Sequence, residues 1–304
     1  GAMSYPQRVL ELKKEKEAVI LAHTYQRPDV QDVADFVGDS LGLSIQATKV
    51  DSKVIVFCGV DFMAETAKIL NPDKTVVHPE RRAKCPMAAM CDVEGLLKLK
   101  RKHPDAKVVG YVNTTAACKA EMDVCCTSSN AVKVVRSVES NKVIFVPDEN
   151  LGKYVQRFVK DKEIVLWPGF CPTHDRISPE MILKLKREHP EALVVVHPEC
   201  KPEVIDIADA VKSTEGMVKL IRSSDRKEFI IGTERELIHR LKKESPDKVF
   251  YSVPGAVCPT MKMITMKSLI RALETLQPTV EIDPEIMDRA RAPLERMMEI
   301  GRGD

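Results

Sequence analysis

The feature that most restricts this chain is that it repeats itself. HPDAKVVGYVN, starting at His103, and HPEALVVVHPE, starting at His189, are the same helix end, turn and strand 86 residues apart. Their continuations match at the same displacement, MDVCCTSSNAVKVVRS from Met122 against ADAVKSTEGMVKLIRS from Ala208. The N-terminal AVILAHTYQ and ADFVGDS fit the template 88 residues earlier, with Asp35 and Ser40 falling on Asp123 and Ser128. Three copies of one supersecondary unit imply that equivalent positions recur in space. Amphipathic stretches (Gln7 to Lys16, Met181 to Glu188, Glu234 to Lys243) alternate with β-rich runs at Ala18 to Leu21, Val54 to Phe57, Val108 to Val112, Val143 to Val146 and Val249 to Ser252. That alternation predicts an α/β fold, with short parallel sheets covered by helices on both faces. We expect three repeated α/β units, spanning residues 4–92, 93–178 and 179–304, the last with additional C-terminal helices.

Each unit also ends alike, in HPERRAKCPM, WPGFCPT and VPGAVCPT, so that Cys85, Cys171 and Cys258 each precede a proline at one phase of the repeat. The chain has nine cysteines, an odd number that argues against a complete disulfide framework. Most are expected to be small buried apolar residues. If the units are arranged about a pseudo-three-fold axis, equivalent loops meet on it, and there the three Cys-Pro thiols would converge as a tripod. Such a tripod suits a soft metal centre, either zinc with one more ligand or an iron–sulfur cluster with one iron left open. No local Cys-x-x-Cys pair of the usual zinc kind lies around it, which favours the cluster. His174 is placed either to complete a zinc site or to donate to a ligand. An open iron would act as a Lewis acid on a substrate oxygen.

A second constellation sits where ligands bind in open parallel sheets, at the strand ends. Phase for phase, the strands deliver His23 and Tyr25, Tyr111 and Asn113, then His197 and Glu199. Packing alone would place aliphatic residues there, yet all six are polar. Ser40, Ser128 and Thr214 form a third set, one hydroxyl per unit in a polar turn able to open a helix. Singly each reads as a helix cap; as a set they suit the holding of carboxylate or phosphate. Gly38-Asp39-Ser40-Leu41-Gly42 matches the nucleophile-elbow pattern and resembles the GDSL hydrolases, but none of the seven histidines has Asp three residues before it. No G-x-G-x-x-G follows any strand, so a dinucleotide cradle is also excluded.

Charge excludes other classes. Lys plus Arg number 47 against 45 Asp plus Glu, with the basic residues scattered, so no nucleic acid is expected as partner. The longest apolar runs, such as Ala18 to Ala22, are far too short to span a membrane, and no signal-peptide pattern opens the chain. We therefore expect a cytoplasmic protein with no membrane contact. Gly1-Ala2-Met3 reads as a remnant of tag removal.

LAHTYQRPDVQDVADFVGDSLGLS, GVDFMAETAKILNP, YVNTTAACKAEMDVCCTSSNAVKVV and HPECKPEVIDIADAVKSTEGM resemble the successive motifs of the quinolinate synthases, and with the three Cys-Pro loops they cover nearly the whole chain. The resemblance implies three α/β/α units arranged about a pseudo-three-fold axis and a [4Fe-4S] cluster on Cys85, Cys171 and Cys258. It implies condensation of iminoaspartate with dihydroxyacetone phosphate to quinolinate, phosphate and water in NAD biosynthesis, and a transient contact with the enzyme that makes iminoaspartate. The substrate pocket would consist of His23, Tyr25, Ser40, Tyr111, Asn113, Ser128, His197, Glu199 and Thr214. Of these, Glu199 would be the catalytic base, with Tyr25, Tyr111, His23 and His197 positioning oxygens or passing protons. Thr24, Thr114 within Asn113-Thr114-Thr115, and Phe170 depart from the family's usual residues. Two rival readings are another iron–sulfur hydro-lyase and a non-catalytic metal or redox sensor, which would not need six polar strand ends.

Overall fold

A computed structural model describes residues 2–304; Gly1, the first residue of the expected tag remnant, lies outside them. Three four-stranded sheets follow one another along the chain. The first holds β1 (Ala18–His23), β2 (Phe36–Gly38), β3 (Val54–Cys58) and β4 (Thr75–Val77). The second holds β5 (Lys107–Tyr111), β6 (Val124–Cys126), β7 (Lys142–Val146) and β8 (Glu163–Leu166). The third holds β9 (Leu193–Val196), β10 (Ala210–Val211), β11 (Glu228–Gly232) and β12 (Val249–Ser252). The orders are β2-β1-β3-β4, β6-β5-β7-β8 and β10-β9-β11-β12, all parallel. The α/β fold with three repeated units is thus the observed one.

The repeat is visible at single bonds. Asp35 donates its N–H to the Ile20 carbonyl at 2.9 Å and accepts the Ile20 N–H on Oδ2 at 2.7 Å. Asp123 does the same to Val108 at 3.0 and 2.8 Å, and Asp209 to Val194 at 2.9 and 2.8 Å. One aspartate therefore pins each edge connection to the first strand of its sheet. From that strand the chain turns first to one side and then crosses to the other, so the carboxyl ends of β1, β5 and β9 flank the crevice where α/β sheets bind ligands.

Buried Leu21, Phe57, Val109, Phe145, Val195 and Phe229, two from each sheet, belong to a single hydrophobic core. Helix Met266–Thr275 follows the third sheet in sequence but lies on the first, where Leu269 and Leu273 pack with Val9 and Leu12 of helix Tyr5–Lys16. Helix Pro284–Ile300 sets Ala290, Leu294 and Met297 into the shared core, against β6 and helix Asp61–Leu70. Expected boundaries shift by a few residues, and one shift matters. The helix expected from Glu234 begins at Leu237, because Glu234 is wholly buried in the preceding loop and spends its carboxylate there. No helix among the described residues is long and apolar enough to cross a membrane.

Candidate active site

His23 closes β1, Tyr111 closes β5 and His197 follows β9 directly. With Tyr25, Asn113 and Glu199 two residues on, they line one cavity of about 240 Å³. Ser40, Ser128 and Thr214 line it as well, as do Cys85, Cys171 and Cys258. All twelve residues singled out from the sequence are therefore brought to one place. The first and third units build their corner identically. The Tyr25 N–H donates to His23 Nδ1 and the Glu199 N–H to His197 Nδ1, each at 3.1 Å. An accepting Nδ1 leaves the proton of each neutral ring on Nε2.

The three hydroxyls are not spent as helix caps. Asp39 caps helix Ser40–Ala47 by accepting the Gly42 N–H at 2.9 Å, and Ser213 caps helix Thr214–Ser223 by accepting that of Gly216 at 3.2 Å. The cap falls one residue earlier in both cases, so the Ser40 and Thr214 side chains are free of that duty. In the second unit Ser128 lies in the turn before helix Ala131–Ser137, whose cap is Asn130.

Buried side chains from all three units form one hydrogen-bonded chain. Tyr25 Oη lies 3.1 Å from Thr214 Oγ1 and 2.9 Å from Thr233 Oγ1, and Thr233 lies 2.7 Å from His174 Nε2. His174 Nδ1 is 2.8 Å from Glu199 Oε1 and 3.2 Å from the Cys171 sulfur, and Tyr111 donates its hydroxyl to Glu199 Oε2. An ionised Glu199 can only accept, so His174 donates from Nδ1 and accepts on Nε2 from Thr233, which leaves Tyr25 to donate to Thr233 and accept from Thr214. Loss of hydration pushes His23 down to about 4 and His197 to about 3, so both are neutral at pH 7. Burial alone would raise Glu199, but the two nearby imidazoles and the bonds from His174 and Tyr111 outweigh it and hold the carboxyl down to about 2. Glu199 is therefore an ionised acceptor, whereas burial and that same carboxylate raise Tyr25 and Tyr111 well above the ordinary tyrosine value.

The donor set fits a thiolate-bound cluster. Cys85, Cys171 and Cys258 are half-buried while the other six cysteines are fully buried. Burial pushes the Cys85 thiol up to about 12 and Cys171 further, so a cation is needed to hold them as thiolates. Backbone bonds fix all three loops: the carbonyl two residues before each cysteine, on Ala83, Gly169 and Ala256, accepts an N–H from Asp61, Glu149 or Arg235 at 2.8–2.9 Å.

Each of these contacts sits beside a carboxylate that the sequence reading missed. Asp61 Oδ1 accepts the Cys85 N–H at 3.3 Å, and Glu234 Oε2 accepts that of Cys258 at 2.6 Å while pairing with Lys262 at 2.6 Å. Asp148, the acid of the second unit, keeps one buried oxygen without a partner. Burial first, then Glu199, raises its carboxyl well above the ordinary value. The recurrence of an acid 86 residues apart at Asp148 and Glu234 was the available signal. For Thr233, which links Tyr25 to His174, no repeat signal existed.

A strand-end cavity lined by three thiols, a buried carboxylate and one hydroxyl from each of three α/β units has the make-up of an active site for a small polar substrate, beside thiols able to hold a metal. Comparison with known sequences specifies it. The chain belongs to the family described as quinolinate synthetase A protein, whose model matches residues 7–299. It is 55% identical over 293 residues to a quinolinate synthase from Thermodesulfovibrio yellowstonii, covering 96% of this chain and 97% of that protein. Identity to the quinolinate synthase of Methanosarcina barkeri is 54% over 295 residues, 97% of each chain, and to that of Desulforudis audaxviator 55% over 290 residues, 95% of each.

Proposed function

We propose that the chain condenses iminoaspartate with dihydroxyacetone phosphate to give quinolinate, phosphate and water, in the cytoplasm, on the route to NAD. The observation that carries this reading is the meeting, in one cavity, of three half-buried thiols with the proton chain ending at Glu199. Ser40, Ser128, Thr214 and Asn113 hold carboxylates and phosphate. The Nε2–H groups of His23 and His197 donate to substrate oxygens. Glu199 accepts carbon-bound protons, and Tyr111 and His174 carry protons to and from it. A [4Fe-4S] cluster on Cys85, Cys171 and Cys258 would supply a Lewis-acid iron for a departing hydroxyl. Nine free cysteines support a reducing, cytoplasmic setting. We divide the chain into units 4–92, 93–178 and 179–304, and expect a transient contact with the enzyme that makes unstable iminoaspartate.

One observation favours a second reading. Ligand atoms of Cys171, His174 and Glu199 lie within 4.8 Å of one another, a mixed set that zinc accepts. That set uses one thiol of three and would break the bond from His174 to Glu199, which ranks it below the cluster. Anaerobic purification followed by iron and sulfide analysis separates the two. About four irons per chain are expected, lost in Cys85→Ser, Cys171→Ser and Cys258→Ser but kept in Cys118→Ser and Cys126→Ser; zinc without sulfide overturns the cluster.

A further inference from the structure

The hydroxyl turns share a partner that the repeat does not explain. Helix Pro284–Ile300 is followed by Gly301–Asp304, a segment beyond the matched residues 7–299 and without counterpart in the first two units. At the first unit the Arg302 guanidinium grips the Asp39 carboxylate with two bonds of 2.9 Å. At the second, the Gly303 N–H donates to the Ser129 carbonyl at 3.0 Å and Asn130 Nδ2 to the Gly301 carbonyl at 2.9 Å. At the third, the Ser213 N–H donates to Asp304 Oδ2 at 2.8 Å. Asp39, Ser129 and Ser213 are the immediate neighbours of Ser40, Ser128 and Thr214. Four residues thus touch all three turns, each one residue from a pocket hydroxyl.

The fit leaves little slack. A Cβ on Gly303 would lie 2.9 Å from the Ser129 carbonyl oxygen, and one on Gly216 would lie 2.5 Å from Asp304 Oδ2. A forked Arg–carboxylate pair fixes angle as well as distance. Burial would raise the Asp39 carboxyl, but Arg302 outweighs it and keeps the carboxylate ionised. The segment itself is absent from the lining of the substrate cavity; it lines a second cavity of about 210 Å³ that shares Ser128 with the first. Any influence on substrate must therefore pass through the turns.

We propose that Gly301–Asp304 is a clasp that sets the spacing of Ser40, Ser128 and Thr214, with Arg302 as its chief positioning residue, and so governs affinity for a dicarboxylate. This rests on reading those hydroxyls as anion holders. A dicarboxylate carries its charges at a fixed separation, so moving the Ser40 turn, which Arg302 holds through Asp39, costs binding while the acid–base chain that begins at Thr214 is untouched.

The test is titration of quinolinate into anaerobically prepared, iron-loaded enzyme, with steady-state kinetics beside it. Since an ångström of misplacement costs up to about a hundredfold, Arg302→Ala should weaken quinolinate and raise KM by roughly tenfold. Its kcat at saturation and its iron content should match the parent. Arg302→Lys should fall between the two, because an ammonium supplies the charge without the fork. Gly303→Ala should shift binding in the same direction with no charge removed. A purely structural role would lower the melting temperature while leaving quinolinate affinity and KM as in the parent. Parent-like quinolinate binding in Arg302→Ala and Gly303→Ala, with weakened binding in Ser128→Ala/Thr214→Ala, would overturn the clasp and keep the hydroxyl reading. Parent-like binding in Ser128→Ala/Thr214→Ala would overturn both.

Discussion

In the proposed reaction Glu199 carries the greatest weight of any single residue. Glutamine at this position keeps the volume and can accept the His174 proton on its oxygen, while the Tyr111 hydroxyl can reverse and accept from the amide. The framework should therefore survive and the base should not. Glu199→Gln is expected to lose about 10²- to 10⁴-fold in turnover, with iron content unchanged and quinolinate bound within a few-fold of the parent. Weak product binding with normal saturating turnover would make Glu199 a positioning residue and send the search for the base to Tyr25, His23 or His197. Asp39 gives a pH prediction. Its native pKa is held below the ordinary carboxylate value by Arg302 against the effect of burial. A depressed pKa contributes stability above the unfolded value, near 3.9, that is lost as pH falls through the native one. Arg302→Ala should cost about 3 kcal/mol at pH 7, and urea titrations should show that gap narrowing as pH falls and Asp39 takes up a proton, first in the variant, where burial is unopposed. The repeat made the twelve pocket residues legible, since each occupies a phase shared by all units. His174, Thr233 and Arg302 were harder to read because each acts once, at a contact between units.

At the scale of the element, the cysteine loops are held unequally. Glu234 is wholly buried and satisfies both the Cys258 N–H and Lys262, whose ammonium also donates to the Tyr25 carbonyl. Asp148 has a spare buried oxygen instead. Glu234→Ala should destabilise by about 3–5 kcal/mol, since it strands a partly buried ammonium and a backbone donor, and should lose iron faster to a chelator. Asp148→Asn removes no charge partner and should stay within about 1 kcal/mol of the parent. Chemical denaturation and chelation time courses on both variants check the contrast; equal behaviour would mean that the acids do not set loop stability. The same loop shows where local reading stopped. Helical periodicity from Glu234 onward was real, but periodicity cannot tell whether a carboxylate at its start caps the helix or turns inward to another loop.

The whole molecule has three units by pattern, and by packing one core that all three share beside smaller clusters on the first and third. Leu294 is fully buried in the core shared by all three sheets, on a helix that lies against the first and second units. Leu294→Ala should therefore cost about 2–5 kcal/mol and lower a single calorimetric transition, with no separate event for any unit; two resolved transitions would show that the core is divided. That the units are alike could be read from the chain, whereas the final helices leaving their own unit could not, because they lie outside the repeat and their apolar faces do not name a partner. Helix Met266–Thr275, which covers Val9 and Leu12, imposes a delay at birth. At about 5–20 residues per second, the ribosome takes roughly 13–50 s to pass from Val9 to Leu269. Throughout that interval one flank of the first unit is an uncovered apolar surface, and a nascent chain in that condition is a natural client for a chaperone.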